Sequence, residues 1–208
     1  MTTIQATGTH ESHHRAERAT ITAHVSIVSV NREQSISSAT ELHNRIVQRA
    51  NELRASGDAT WHAADPISTF SRKNYDQGKG SKVVIEHVTT SRVRVKLSNL
   101  ELVSKLVDEL SNAGARTNVD WTLTEAFRRE CERVARKAAV SAARAVADDY
   151  AEALGERIVR VLSISDAPGG FAGGVQARFA ADSAGGGAEV TVAEITVSAS
   201  VQGDFQSA

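Results

Sequence analysis

Apolar and polar residues alternate from Ala19 onward. Ala19, Ile21, Ala23, Val25 and Ile27 share one face, and Thr20, Thr22, His24 and Ser26 the other. This period of two over residues 19–30 predicts a half-buried strand. The period then lengthens. Ile36, Ala39, His43, Ile46, Val47, Ala50 and Leu53 recur at three- and four-residue spacing, which predicts a helix with one apolar stripe. Asn31 stands where a cap belongs, Gln34 is placed to reach back to it, and Gly57 supplies the left-handed stop. Residues 59–70 predict a weaker strand that Pro66 consigns to an edge, and residues 71–81 a hairpin loop.

Val83–Leu97 predicts a long strand of a one-sided antiparallel sheet. Val83, Ile85, Val93, Val95 and Leu97 lie on one face, and Glu86, Arg92, Arg94 and Lys96 on the other. Ser98 with Glu101 has the form of a capping box. The helix after it carries Leu102, Val103, Leu106, Val107 and Leu110, and Gly114 ends it. A short strand over 115–123 leads to a second box, Thr122 with Glu125, and to a helix of about 30 residues. The stripe expected on that helix is Phe127, Cys131, Val134 or Ala135, Ala138, Ala142, Ala145 or Val146, Tyr150 and Leu154.

Strands follow at 158–164 and 189–201, separated by a glycine-rich stretch, 167–187, that reads as a mobile surface loop. The last strand changes phase, with Val190 and Val192 on one side and Ile195, Val197 and Val201 on the other. A bulge near Ala193-Glu194 would account for this, as would burial of both faces by a partner subunit. From 19 to 123 the order is β-α-β-β-α-β, the ferredoxin-like pattern. The expected fold is α+β, with that core extended by the long helix and two C-terminal strands, and with helices on one face of a mainly antiparallel sheet. Residues 1–18 read as a polar lead-in, 19–203 as one domain and 204–208 as a tail.

Composition narrows the function classes. The chain has 208 residues, 41% hydrophobic and 24% charged, with 24 basic and 25 acidic side chains. A near-neutral chain lacks the charge footprint of a dedicated nucleic-acid binder. One cysteine, Cys131, excludes an internal disulfide and a cysteine-rich zinc site. No apolar run has the length of a membrane span, and the polar N-terminus is not a secretory signal, so the expected location is cytoplasmic, or periplasmic or secreted if a leader has been removed.

Ala138-Ala139-Val140-Ser141-Ala142-Ala143-Arg144, then Tyr150-Ala151-Glu152-Ala153-Leu154-Gly155, resemble the long helix of the SIMPL-domain family. The likeness resumes over Ile158–Ser165, at Val190-Thr191-Val192 and at Val197-Ser198-Ala199-Ser200-Val201. Upstream, Leu100–Gly114 and Gly8 before the strand at Ala19 are similar to the family's opening half. The sequence departs from it at Glu17-Arg18, where such proteins commonly have Pro-Asp. Bacterial members include proteins of oxidative-stress defence and a cell-envelope immunogen, and a eukaryotic relative associates with a kinase. The resemblance implies a non-enzymatic protein that acts through homo-oligomerisation and protein contacts in stress tolerance, with no catalytic residues and no cofactor to carry over.

Candidate chemistry is sparse. His10, His13 and His14 could supply imidazole ligands to a transition metal, against the plainer reading of a solvated polar segment. A small-molecule or metal module could use them, or a pocket under the 167–187 loop. His43, on an apolar helix face, reads as a hydrogen-bonded core histidine. Cys131 could sense redox state if exposed beside Arg128, Arg129 and Arg133, yet its place on the apolar stripe predicts a packed thiol. Gly78-Lys79-Gly80-Ser81-Lys82 lacks the spacing of a phosphate loop. The basic stripe Arg92, Arg94 and Lys96 has no aromatic residue on its own strand, which predicts a solvated or ion-paired face rather than an RNA surface. No nucleophile elbow occurs.

Overall fold

A computed structural model describes residues 1–75, 83–167, 177–178 and 191–208. The elements are β1 (Thr2–Arg15), β2 (Arg18–Ser29), α1 (Arg32–Ala55), β3 (Ala59–Ala64), β4 (Ser68–Tyr75), β5 (Val83–Leu97), α2 (Leu102–Asn112), β6 (Arg116–Thr122), α3 (Glu125–Ala153), β7 (Ile158–Asp166), β8 (Ala177–Arg178) and β9 (Glu194–Ser207). The class is α+β. The chain forms two compact units: Met1–Ala16 with Thr122–Asp182 and Val192–Ala208, and Glu17–Trp121 with Ser183–Thr191.

The unit centred on Glu17–Trp121 is the ferredoxin-like core. Its strands run β3-β5-β2-β6, with β4 also paired to β5. β2 and β5 are antiparallel in unbroken register from Ala19↔Leu97 to Ser29↔His87. β5 is long enough to hold two short edge strands end to end, β3 along its C-terminal half and β4 along its N-terminal half. The single strand expected over 59–70 is thus two, and Pro66 lies at the break, where it has no N–H to give to a ladder. Ile21, Val25, Val93, Val95 and Leu97 from the sheet are buried with Leu42, Ile46 and Leu53 of α1 and Leu106 and Leu110 of α2.

Two details differ from the sequence pattern. Val83 and Ile85 continue the parity of the core face but are about half exposed, whereas polar Ser35 and Thr89 are fully buried. The Ser35 hydroxyl lies 3.0 Å from the Ile27 carbonyl oxygen, 3.1 Å from that of His87 and 2.8 Å from Thr89 Oγ1, so its burial is matched by partners. The caps differ as well. Asn31 Oδ1 accepts from the Glu33 and Gln34 amides, but the Gln34 side chain accepts from the Ser29 hydroxyl instead of reaching back to Asn31.

Ser98 and Glu101 form no capping box. Ser98 Oγ donates to the Gly57 and Asp58 carbonyls, and Asn99 Nδ2 donates to Asp58 Oδ1 at 2.9 Å. Hydrogen bonds from Ser56 and Asn99 hold the Asp58 carboxyl below its ordinary range. This polar clasp ties the end of α1 to the end of β5, and Gly57, at φ 85°, makes the turn that it needs.

In the other unit the strands run β1-β9-β7, with β8 beside β9. The expected lead-in is therefore a strand over most of its length, and the expected tail is the end of β9. β1 and β9 pair without a break from Thr2↔Ser207 to Arg15↔Glu194, so no bulge interrupts that pairing at Glu194. Polar outward residues (Thr3, Gln5, Thr7, Thr9, Glu11) disguise β1. Its inward positions are Ile4, Ala6 and Gly8, and β9 adds Ile195, Val197, Val201 and Phe205. The phase change expected in the last strand has no counterpart within β9, where every second residue from Ile195 to Ser207 is buried. Val190, the 76–82 segment with its glycine-lysine motif, and nearly all of the 167–187 loop lie outside the described residues.

α3 covers this sheet with a stripe that shares Cys131 and Ala135 with the expected one and then departs from it. Cys131, Ala135, Ala139, Ala143, Ala147 and Ala151 are buried, while Val134, Tyr150 and Leu154 are 50–60% exposed. The reason is distance. A Cβ on Gly8 would lie under 3.0 Å from the Ala139 carbonyl oxygen and the Ala143 backbone nitrogen, so backbone meets backbone and only small residues fit. Thr124, not Thr122, caps the helix by accepting from the Phe127 amide.

Two stability predictions follow from this packing. Gly8→Ala lowers stability by about 3 kcal/mol and the melting temperature by roughly 6–12 °C, while Thr9→Ala on the outer face has little effect; thermal unfolding by circular dichroism checks both. Ser35→Ala leaves the Thr89 hydroxyl short of a buried partner and lowers stability by about 1–3 kcal/mol, read as a lower urea midpoint at constant slope.

Candidate functional site

Two surfaces carry the chemistry, one in each unit. The first is the face of the β3-β5-β2-β6 sheet opposite its buried side. Register sets it out in rows: Trp61–Lys96–Thr20, Ala63–Arg94–Thr22, Arg92–His24, Ser68–Thr90–Ser26 and Phe70–Val88–Val28. A groove of about 790 Å³ crosses the middle rows, bordered by Asp65 and Pro66 on one side and by Arg116 and Asn118 of β6 on the other. Asp65 Oδ1 is 3.0 Å from Arg94 Nη2, and its Oδ2 is 3.9 Å from Arg92 Nε. The Asp65 amide donates to the Arg92 carbonyl at 2.8 Å, which fixes the carboxylate at this height.

Arg92 and Arg94 of the basic stripe thus pair with Asp65, one of the two states its sequence suggests. Its separation from aromatic rings was a reading of one strand alone. The edge strand β3 places Trp61 beside Lys96, with the Arg94 guanidinium 5.8 Å from the ring centre. Asp65, Arg116 and the outward-facing His24 do not read as one group in the sequence because they come from three separate segments. The one local signal was Asp65-Pro66 at a strand break.

The second surface is β7. Every residue after Ile158 is exposed, and Val159, Val161, Leu162 and Ile164 are 41–50% exposed. The pairing with β9 shifts register between Ile158 and Arg160 and again between Val161 and Ser163. Each shift inserts one residue, which explains why apolar residues fall side by side at Ile158-Val159 and Val161-Leu162 instead of alternating. Val161 lies across from Phe205 and Ile164 across from Gly203, on the side of the sheet where Phe205 is buried.

The histidines are separated by strand alternation. His10 and His14 lie on the α3 side, and the His14 ring meets Phe127 edge-on at 5.3 Å. His13 lies on the opposite face, with Nδ1 3.1 Å from Thr196 Oγ1 and Nε2 3.5 Å from Glu11. Among the described residues no group of three or more His, Cys, Asp or Glu is placed to hold a metal ion. His43 Nδ1 lies 2.9 Å from Ser91 Oγ, the hydrogen-bonded placement expected of it. Cys131 is buried. The neighbouring arginines face their own carboxylates: Arg128 and Arg129 engage Glu125, and Arg133 engages Glu130. These contacts hold the Glu125 and Glu130 carboxyls below their ordinary range. No helix among the described residues is long and apolar enough to cross a membrane.

Comparison with solved structures finds distant partial likenesses. A chain described as an aminohydrolase from methicillin-resistant Staphylococcus aureus is 15% identical, covering 56% of this chain and 30% of that one, at a TM-score of 0.27. An amidase of the hydantoinase/carbamoylase family from Burkholderia multivorans is 11% identical, covering 64% and 33%, at a TM-score of 0.24. The chain spans about a third of the length of those structures, and likeness at this level bears on no activity. No curated protein matches the chain. The family model SIMPL, described as a protein of unknown function (DUF541), matches residues 4–205, which takes in nearly all of β1 and of β9 and agrees with the resemblance carried by the alanine helix. The chain belongs to the SIMPL family.

Proposed function

We propose that this protein is a non-catalytic contact module that associates with a second copy of itself through β7 and makes its protein contacts in that assembled form. The observation that carries the reading is the apolar strand, with Val159, Val161, Leu162 and Ile164 all substantially exposed. Exposed apolar side chains grouped along one edge strand in this way suit an interaction site. A second copy suits it because a two-fold contact sets the same patch against itself. Arg160 near one end and Asp166 at the other add complementary charge when two such strands run antiparallel. The two register shifts disfavour open-ended ladder growth, so association through side chains closes instead of propagating. The oxidative-stress setting implied by the family resemblance belongs to this proposal and is tested with it.

Size-exclusion chromatography with light scattering is the experiment. The expected result is a dimer or higher closed species at micromolar concentration, and a monomer of unchanged melting temperature for Val161→Glu combined with Ile164→Lys. A wild-type chain that stays strictly monomeric overturns the reading. In cells, loss of the gene sensitises to peroxide, and the wild type but not the double variant restores tolerance.

A further inference from the structure

We propose that the groove on the open face of the β3-β5-β2-β6 sheet binds a small, doubly charged oxyanion: a phosphate monoester or a dicarboxylate. Among the described residues the groove brings three guanidinium groups, Arg92, Arg94 and Arg116, against one carboxylate, Asp65, an excess of two positive charges. Asp65 does not neutralise the site so much as hold it in place. One of its oxygens is 3.0 Å from Arg94 and the other 3.9 Å from Arg92, so both guanidiniums are drawn to the same height over the sheet. Each guanidinium carries five N–H donors in a rigid fork, and one shared carboxylate leaves most of them unused.

The remaining walls suit an oxyanion. Thr22, Ser26 and Thr90 add hydroxyl groups along the groove floor. The floor is also rigid: it is the reverse of strands whose other faces bury Ala23, Val25, Val93 and Val95. A site mounted on such strands holds its donors in position before a ligand arrives. Its volume of about 790 Å³ is that of a small-molecule pocket. A long polyanion fits less well. Trp61 lies next to the groove, but the chain as a whole carries a net charge of −1, and Asp65 and Pro66 border the groove instead of continuing a basic track.

The test is titration of the full chain, followed by amide chemical shifts and calorimetry. The probes are inorganic phosphate at about pH 8, above its second ionisation, succinate, and acetate as the singly charged control at matched ionic strength. The expected result is saturable binding of phosphate or succinate with shifts centred on residues 22–26 and 90–94, and acetate weaker by about tenfold or more. Whichever dianion binds more tightly identifies the ligand class. Arg116→Gln, an exposed position, weakens binding about tenfold with the melting temperature unchanged, and Arg92→Gln with Arg94→Gln abolishes it. Absence of saturable shifts in the groove at millimolar dianion, equal binding of acetate, unchanged affinity in Arg116→Gln, or tighter binding of a single-stranded oligonucleotide than of either dianion overturns the proposal.

Discussion

The missing side chain of Gly8 sets the geometry of one whole unit. Because a Cβ there would overlap the backbone at Ala139 and Ala143, α3 lies against β1 at a distance that only hydrogen and methyl groups can fill. From that contact the helix is committed to a small residue at every fourth position, from Ala135 to Ala151. The bulky residues that look like its core stripe, Val134, Tyr150 and Leu154, are displaced to the flank and face outward. Close packing at native density makes this an all-or-none choice, since one added methylene on either partner has nowhere to go.

The ferredoxin-like unit rests on more ordinary burial, with leucine, isoleucine and valine between two helices and a sheet. Its unusual points are polar and local. Ser35 and Thr89 form a buried hydroxyl pair where α1 begins, and Asp58 gathers Ser56, Ser98 and Asn99 where α1 ends. With the core face so occupied, the opposite face is left to hydroxyl, guanidinium and carboxylate groups set in rows by the β2–β5 register. The polar chemistry of this unit therefore lies on the outer face of its sheet, and the exposed apolar side chains of the other unit lie along β7.

Much of this was legible in the sequence wherever period and burial agree. β2, α1, α2 and the C-terminal half of β5 follow their patterns closely, and Gly57 and Gly114 take the positive φ expected of helix stops. β1 was not legible, because its outward Thr, Gln and Glu residues outnumber the inward Ile4, Ala6 and Gly8, and a glycine counts as nothing in a hydrophobic pattern. Beyond Cys131 and Ala135 the α3 stripe was misplaced for the same reason: alanine is weakly apolar, and a rule that favours large residues prefers Tyr150 and Leu154. The groove was partly visible in the basic stripe, through Arg92 and Arg94. Asp65, His24 and Arg116 join it only through strand pairing, which no single segment records. The three histidines looked like a cluster because sequence distance ignores the two faces of a strand.

Native-state hydrogen exchange tests the close β1–α3 contact most directly. If the backbone approach at Gly8 holds that unit together, amides of residues 4–10 in β1, 135–147 in α3 and 197–205 in β9 open as one cooperative unit with a single free energy. Exchange of the β1 amides at nearly unfolded rates, while α3 and β9 stay protected, would contradict it.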